Sequence, residues 1–337
     1  MNDDEVLVTR AGAAGHLRLN RPAALNSLTA GMIEALHAGL DRHLADAHVR
    51  VIVLSGAGPR GLCAGADIKA LHALGRGTPA AALDFWASEY RLVARIARAG
   101  KPWLALMDGI CMGGGAGLAM HGAHRVVTER TRFAMPETGI GYFPDVGASW
   151  TLPRAPGALG LWLGLTGASI GAADVIAAGL ADAMVPADAL PALVADLESG
   201  RAPGAAIAAH AADPGPSALE AKVATIATAF AAPDMAAIMA ALAADGSAFA
   251  RETGDILATR SPTGLVVALH LLRLGAESPD LETCLARELE GDALILRQAD
   301  FYEGIRAAVI DRDRKPQWHP ARLADVDARA LLAGITA

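Results

Sequence analysis

Residues 108–147 read DGICMGGGAGLAMHGAHRVVTERTRFAMPETGIGYFPDVG, and this stretch decides the fold. An apolar run from Trp103 to Met107 leads in as a buried strand, and Leu118, Ala119 and Met120 lead out as a helix. The glycines therefore stand where a strand hands over to a helix. Residues without a Cβ let a ligand carbonyl approach the backbone, and the first-turn amides of a helix have no intrahelical partner. The helix dipole adds about half a positive charge at that end, so a developing oxyanion is favoured there. Glu137 follows Gly117 by twenty positions, and Asp145 comes eight later.

Towards the N-terminus, residues 5–10 and 16–19 read as short strands joined by AGAAG. After LNRPAALNSLT comes a helix, with Thr29 as N-cap and Met32, Leu36, Leu40 and Leu44 along one face. The strand VRVIVL, 49–54, ends at the turn SGAGPRG, and LCAGADIKAL then opens another helix behind a glycine-bearing turn. Two loops, near Ala66 and near Gly114, can thus each present a backbone N–H. Leu83 to Ala99 is helical and carries Glu89 and Tyr90. Further helices are expected at about 157–166 and 170–180, with a short strand at Met184 and Val185. The Pro/Ala/Gly-rich stretch 198–216 reads as a linker, and from Ser217 onward the pattern is helix after helix. Ser261 before Pro262 starts one of these helices.

A chain of 337 residues exceeds one comfortable core, so one large and one smaller domain are expected. Only 4% of the residues are aromatic against 53% hydrophobic overall, so the interior must be built mainly from Ala, Leu, Val and Ile. A net charge of −7 argues against a nucleic-acid partner. The acidic N-terminus MNDDEVLVTR resembles no targeting peptide, and no apolar run reaches the length of a membrane span. The reading is a soluble, cytoplasmic protein without a membrane partner. Three cysteines, Cys63, Cys111 and Cys284, suit a reducing compartment and no disulfide framework.

LNRPAALNSLT, CAGADIKAL, GICMGGGAGLAM and FAMPETGIGYFPDVG, in this order, resemble the crotonase (enoyl-CoA hydratase/isomerase) superfamily. MPETGIGYFPDVG together with SPTGL (261–265) and DFYEGIRAAVIDRDRKPQW (300–318) is similar to its 3-hydroxyisobutyryl-CoA hydrolase branch. The resemblance implies an α/β fold, a crotonase-like spiral of β-β-α repeats. It also implies an acyl-CoA-binding catalytic core over 1–200 and a helical C-terminal region over 217–337. That helical part could cap its own site or dock a neighbouring copy, so a homo-oligomer is open.

By motif position, the resemblance assigns the oxyanion hole to the backbone N–H groups of Ala66 and Gly114. A hydratase of this family resembles GGG-x-Glu with a second Glu twenty positions on, whereas Gly117 occupies the first place here and only Glu137 is present. Paired-carboxylate hydration is thus disfavoured. Glu137 becomes the carboxylate at a thioester carbon, as nucleophile or as base for water. Asp145 would orient the substrate's 3-hydroxyl or the hydrolytic water, with Glu89 as a supporting acidic position on the substrate side. The implied partner is an acyl-CoA, most simply 3-hydroxyisobutyryl-CoA, with no metal and no cofactor beyond the CoA of the substrate. Ala66, where the branch commonly has glycine, and Ala148, Ser149 and Trp150, where it has glycines, put the acyl specificity in question.

Other readings are weaker. Gly113 and Gly115 are followed by Leu118 where a dinucleotide fingerprint needs its third glycine. His121 and His124 lack a recognisable third metal ligand. Cys63 and Cys111 border both loops, but buried cysteines are usually apolar filler rather than nucleophiles. Arg21 and Lys69 are candidates for the CoA phosphates, with surface solvation as the plainer alternative for each.

Overall fold

A computed structural model describes residues 4–336. β1 (Val6–Ala11) and β2 (Ala14–Leu19) form an antiparallel pair in which Val6 faces Leu19 and Ala11 faces Ala14. Parallel pairing then adds β3 (Val51–Gly56), β5 (Trp103–Met107), β7 (His124–Val127) and β9 (Ala183–Met184) in the order β1-β2-β3-β5-β7-β9. A second sheet, in the order β4-β6-β8, contains β4 (Gly61–Cys63), β6 (Ile110–Met112) and β8 (Arg132–Ala134). Each parallel step needs a crossover, and helices supply it, which gives the strand-strand-helix repetition that the resemblance implies.

The first crossover is α1 (Ala30–Ala45), capped by Thr29, whose hydroxyl accepts the Met32 N–H at 3.1 Å. Its buried face holds Met32, Ile33, Leu36, Gly39 and Leu40, while Leu44 is only half-buried. A Cβ on Gly39 would stand 2.5 Å from Leu17 Cδ2, so the helix lies directly on the sheet. After β4 come α2 (Ile68–Gly77) and α3 (Pro79–Ala97), and after β6 comes α4 (Gly114–Met120).

The expected helices at 157–166 and 170–180 are the shorter Leu159–Thr166 and Ala172–Ala177. In the stretch 198–216, which composition marks as a linker, Pro203–His210 is a helix. Its Ala206 and Ile207 are buried in a cluster with Val126, Val185, Leu193 and Leu197. Alanine is the strongest helix former and a proline in the first turn costs no hydrogen bond, so this composition did not exclude a helix.

The chain forms two compact units, and the division is not a single cut near residue 200. One unit contains the residues up to Asp67 with Ser88–Phe133 and Ile170–Ser217. The other contains Ile68–Ala87, Ala134–Ser169 and the residues from Ala218 on. Glu137 and Asp145 therefore belong with the C-terminal helices rather than with an N-terminal core. Aromatic packing joins the three segments of this second unit. Trp86 stacks on Tyr142 at 5.6 Å between ring centroids, and Phe301 lies 6.0 Å from Trp86 and 5.8 Å from Tyr142. In a chain so poor in aromatics, three large rings drawn from three sequence segments make a strong local nucleus.

Candidate active site

In the first unit, β4 and β6 pair in parallel, Gly61 with Ile110 and Cys63 with Cys111, so the chain leaves both strands at the same end. The two glycine-bearing loops follow from there. They touch: a Cβ on Gly65 would lie 3.3 Å from Met112 O and 3.5 Å from Gly114 N. Ala66 forms a single parallel bridge with Leu28. Leu28 makes both bonds of that bridge, its N–H to Gly65 O and its carbonyl to Asp67 N–H, each at 2.9 Å. In this pairing pattern the flanked residue turns its own N–H and C=O away from the partner strand, which leaves the Ala66 amide facing outward.

Gly113 caps α4 with φ 51 and ψ −127, a conformation only glycine adopts readily, and its carbonyl accepts the Gly117 N–H at 3.0 Å. The Gly114 amide thus sits in the unpartnered first turn. Side chains are excluded on this face. A Cβ on Gly114 would overlap Glu89 Oε1, and one on Gly115 would come within 2.6 Å of Cys63 Cβ. Glu89, on α3, is 1% exposed. All seven residues of α4 are buried, and none carries an acid.

Burial, aided by the Glu89 charge, pushes the Cys63 thiol up to about 12, and burial likewise raises the Cys111 thiol. Neither offers a thiolate near neutral pH, so a cysteine nucleophile is disfavoured on chemistry. The LNRPAALNS motif is a brace. Asn26 donates to Ala57 O at 3.0 Å and Gly61 O at 3.1 Å, and Arg21 binds Glu5 at 2.9 Å and Asp67 at 3.3 Å. Arg21 is thereby tied to its own chain, while Lys69 is exposed. Among the described residues no group of three or more His, Cys, Asp or Glu is arranged to hold a metal ion.

In the second unit, Glu137 opens a tight turn, Glu137–Ile140, after Pro136. Gly141 closes it with φ 72, and the Tyr142 N–H returns to Glu137 O at 3.0 Å. The C-terminal motifs shape this turn. A Cβ on Gly141 would overlap the Asp300 carbonyl, and one on Gly304 would overlap the Ile140 carbonyl, so the helix Ala299–Ile305 presses against it. Asp300 is itself fixed, accepting from the Ser261 hydroxyl and the His319 N–H. Ser261 also caps its helix, Pro262–Glu277, by accepting Gly264 N–H at 2.9 Å. PETGIGYF, SPTGL and DFYEG are therefore parts of one packed unit.

Glu137 is 7% exposed, and its Oε2 is buried without a hydrogen-bond partner among the described residues. Burial, and then the charge of Asp145, hold its carboxyl well above the usual carboxylate range. Asp145, 5% exposed, accepts from the Tyr142 hydroxyl at 3.0 Å, and the same hydroxyl meets Asp292. A phenol has one proton, so it donates to one of these carboxylates.

Beyond Asp145, Val146 sits at φ 53 and Gly147 at φ 80. A β-branched residue in the left-handed region costs on the order of 1–3 kcal/mol unless its surroundings hold it. Here they do: buried Glu288 accepts Gly147 N–H at 2.7 Å and Ser149 N–H at 3.0 Å, as well as the Ser149 hydroxyl. Burial is the main reason that the Glu288 carboxyl is pushed up to about 8. Trp150 lies under the Arg154 guanidinium, 3.3 Å from its ring centroid.

Tyr142, Glu288 and Asp292 escaped sequence reading. The available signal was the acidic pair Glu288 and Asp292, four apart in the otherwise apolar buried stripe Leu281, Leu285 and Ile295.

The raised carboxyl of Glu137 sets an expected pH dependence. A raised pKa delays ionisation, so if the anion is the working form, turnover should climb as pH rises through a value well above 4.5. A rate profile whose acid limb falls in the ordinary carboxylate range would contradict that role.

The profile of the enoyl-CoA hydratase/isomerase family matches residues 14–333. The chain belongs to that family. It is 40% identical to a protein of Xenopus tropicalis named 3-hydroxyisobutyryl-CoA hydrolase, mitochondrial, over 97% of this chain and 87% of that protein. The human protein of the same name is 37% identical, with coverage of 97% and 87%. Among solved structures, one titled carnitinyl-CoA dehydratase from Mycobacterium thermoresistibile superposes with a TM-score of 0.95 at 42% identity, covering 99% of this chain and 97% of that one. One titled enoyl-CoA hydratase from Rhodobacter sphaeroides gives 0.88 at 39%, with coverage of 98% and 97%. The fold is the crotonase-type mixed α/β fold with a helical C-terminal region.

Proposed function

We propose that this family member is an acyl-CoA thioester hydrolase that converts 3-hydroxyisobutyryl-CoA to 3-hydroxyisobutyrate and CoA, as in valine breakdown. The observation that carries the reading is α4. Its wholly buried GGAGLAM has Gly117 where a hydratase of this resemblance would carry its first glutamate. The similarity to proteins named for that hydrolase supports the same reading.

In the proposed mechanism the thioester oxygen accepts hydrogen bonds from the Ala66 and Gly114 N–H groups, which stabilise the oxyanion as the carbonyl carbon becomes tetrahedral. Glu137 either attacks that carbon or takes a proton from an attacking water. In the first route the C–S bond breaks, CoA leaves as the thiolate, and water then hydrolyses the mixed anhydride. In the second route water's oxygen ends directly in the product acid. Both routes need Glu137 as an anion and neither needs a metal or redox cofactor. Asp145 would recognise the 3-hydroxyl or place the water, with Glu89 behind Gly114.

The titles of the two similar structures favour a second reading, a dehydratase or hydratase in which Glu137 alone moves protons and no thiol is released. Thiol release separates the two. Steady release of CoA from 3-hydroxyisobutyryl-CoA is expected, with negligible hydration of crotonyl-CoA. Comparable rates in the two assays would remove the hydrolase assignment.

Asp145→Ala tests the acyl end. It should lower the rate on 3-hydroxyisobutyryl-CoA roughly tenfold or more, as expected when a hydroxyl worth about 1–3 kcal/mol loses its partner. The slow rate on isobutyryl-CoA, which lacks the hydroxyl, should change little. Equal losses on both substrates would assign Asp145 to water or to Glu137 instead.

A further inference from the structure

Glu288 is fully buried on the helix Leu281–Ile295, and the mechanism above makes no use of it. Both of its oxygens are committed to one short turn, through the Gly147 N–H, the Ser149 N–H and the Ser149 hydroxyl. That turn begins at Asp145, whose carbonyl accepts the Ala148 N–H at 2.8 Å. Between the two anchors the backbone takes two successive left-handed residues, and one of them is the β-branched Val146. Such a conformation persists only where the surroundings over-determine it.

Holding helices together does not by itself call for this carboxyl group. The helix Pro262–Glu277 already crosses the segment at Gly275, where a Cβ would overlap the Ser149 carbonyl. A buried acid is a costly adhesive when apolar contact is available. It is a good template, because the two oxygens of a carboxyl group accept several N–H and O–H groups at once and fix their directions.

We infer that Glu288 is a positioning residue: by holding Gly147 and Ser149 it fixes the turn that presents the Asp145 carboxylate to the substrate. The inference rests on the proposed substrate-facing role of Asp145.

The test compares wild type, Asp145→Ala, Glu288→Gln, their double variant and Ser149→Ala, each on 3-hydroxyisobutyryl-CoA and isobutyryl-CoA. Glutamine replaces one acceptor oxygen with a donor, so the Gly147 N–H loses its partner. Glu288→Gln should lose about tenfold of the preference for the hydroxylated substrate, and the double variant should lose no more than Asp145→Ala alone. Ser149→Ala, which removes one of the three bonds, should show a smaller loss in the same direction. A folded Glu288→Gln protein that keeps the wild-type preference overturns the inference, as does an equal loss on both substrates that adds to that of Asp145→Ala. If Glu288→Gln does not fold, Ser149→Ala decides: a reduced preference supports positioning, and an unchanged one overturns it. If Asp145→Ala leaves the preference unaltered, the reading of Asp145 fails separately. Positioning is then judged by whether the Glu288→Gln and Asp145→Ala losses on 3-hydroxyisobutyryl-CoA are non-additive, which supports it, or additive, which overturns it.

Discussion

Glu137→Gln is expected to lower turnover by about a hundredfold or more while leaving a folded and, at alkaline pH, more stable protein. The two effects share one cause. Burial, reinforced by Asp145, raises the carboxyl of Glu137 well above its ordinary range, so the folded state binds this proton more tightly than the unfolded chain does. A raised group contributes stability that is fully present below the unfolded value and is lost as pH rises through the folded one. Glutamine has no proton to lose. The melting temperature of the variant should therefore gain on that of wild type as pH rises through this window, in opposition to the fall in rate. A variant with near-native turnover, or one that is less stable at every pH, would mark Glu137 as a structural carboxyl.

Gly114→Ala should be nearly as damaging. The added methyl would overlap Glu89 Oε1 and stand 3.1 Å from Leu28 Cδ1, so either the buried glutamate gives way or the first turn of α4 shifts. Loss or misdirection of one oxyanion donor typically costs about 10²–10³ in kcat. A drop in kcat of about a hundredfold is expected, with circular dichroism unchanged. Gly77→Ala is the control, since its methyl would meet nothing within 4 Å and activity should be retained. Equal activity in the two variants would separate Gly114 from catalysis.

The strand-to-helix handover at Gly113 was legible in sequence because glycine runs and apolar runs report backbone requirements that are local. The caps at Thr29 and Ser261 were legible for the same reason, each hydroxyl accepting a bond from an amide three residues on. The surroundings of Asp145 were not. Tyr142 lies only three residues away, but its second partner, Asp292, is 150 positions distant, and Glu288 lies 141 positions from Gly147. Periodicity marks Glu288 and Asp292 as acids in a buried stripe, but it does not say which distant turn they meet. The helix at Pro203–His210 was hidden differently, because its Ala, Gly and Pro residues suit a linker equally well until Ala206 and Ile207 find an apolar cluster to enter.

The three-segment make-up of the unit that carries Glu137 bears on how the protein is made. As the chain leaves the ribosome, Trp86 and Tyr142 emerge long before Phe301, and the turn at Gly141 is complete long before Asp300 and Gly304 arrive to back it. Segments 68–87 and 134–169 must therefore wait, with apolar faces open, for residues beyond 217. A chain cut after Ser217 would retain every glutamate and aspartate assigned to the chemistry, yet it would lack the scaffold that shapes them. Shortening this protein to its first 217 residues is thus a route to an aggregating fragment, not to a minimal enzyme.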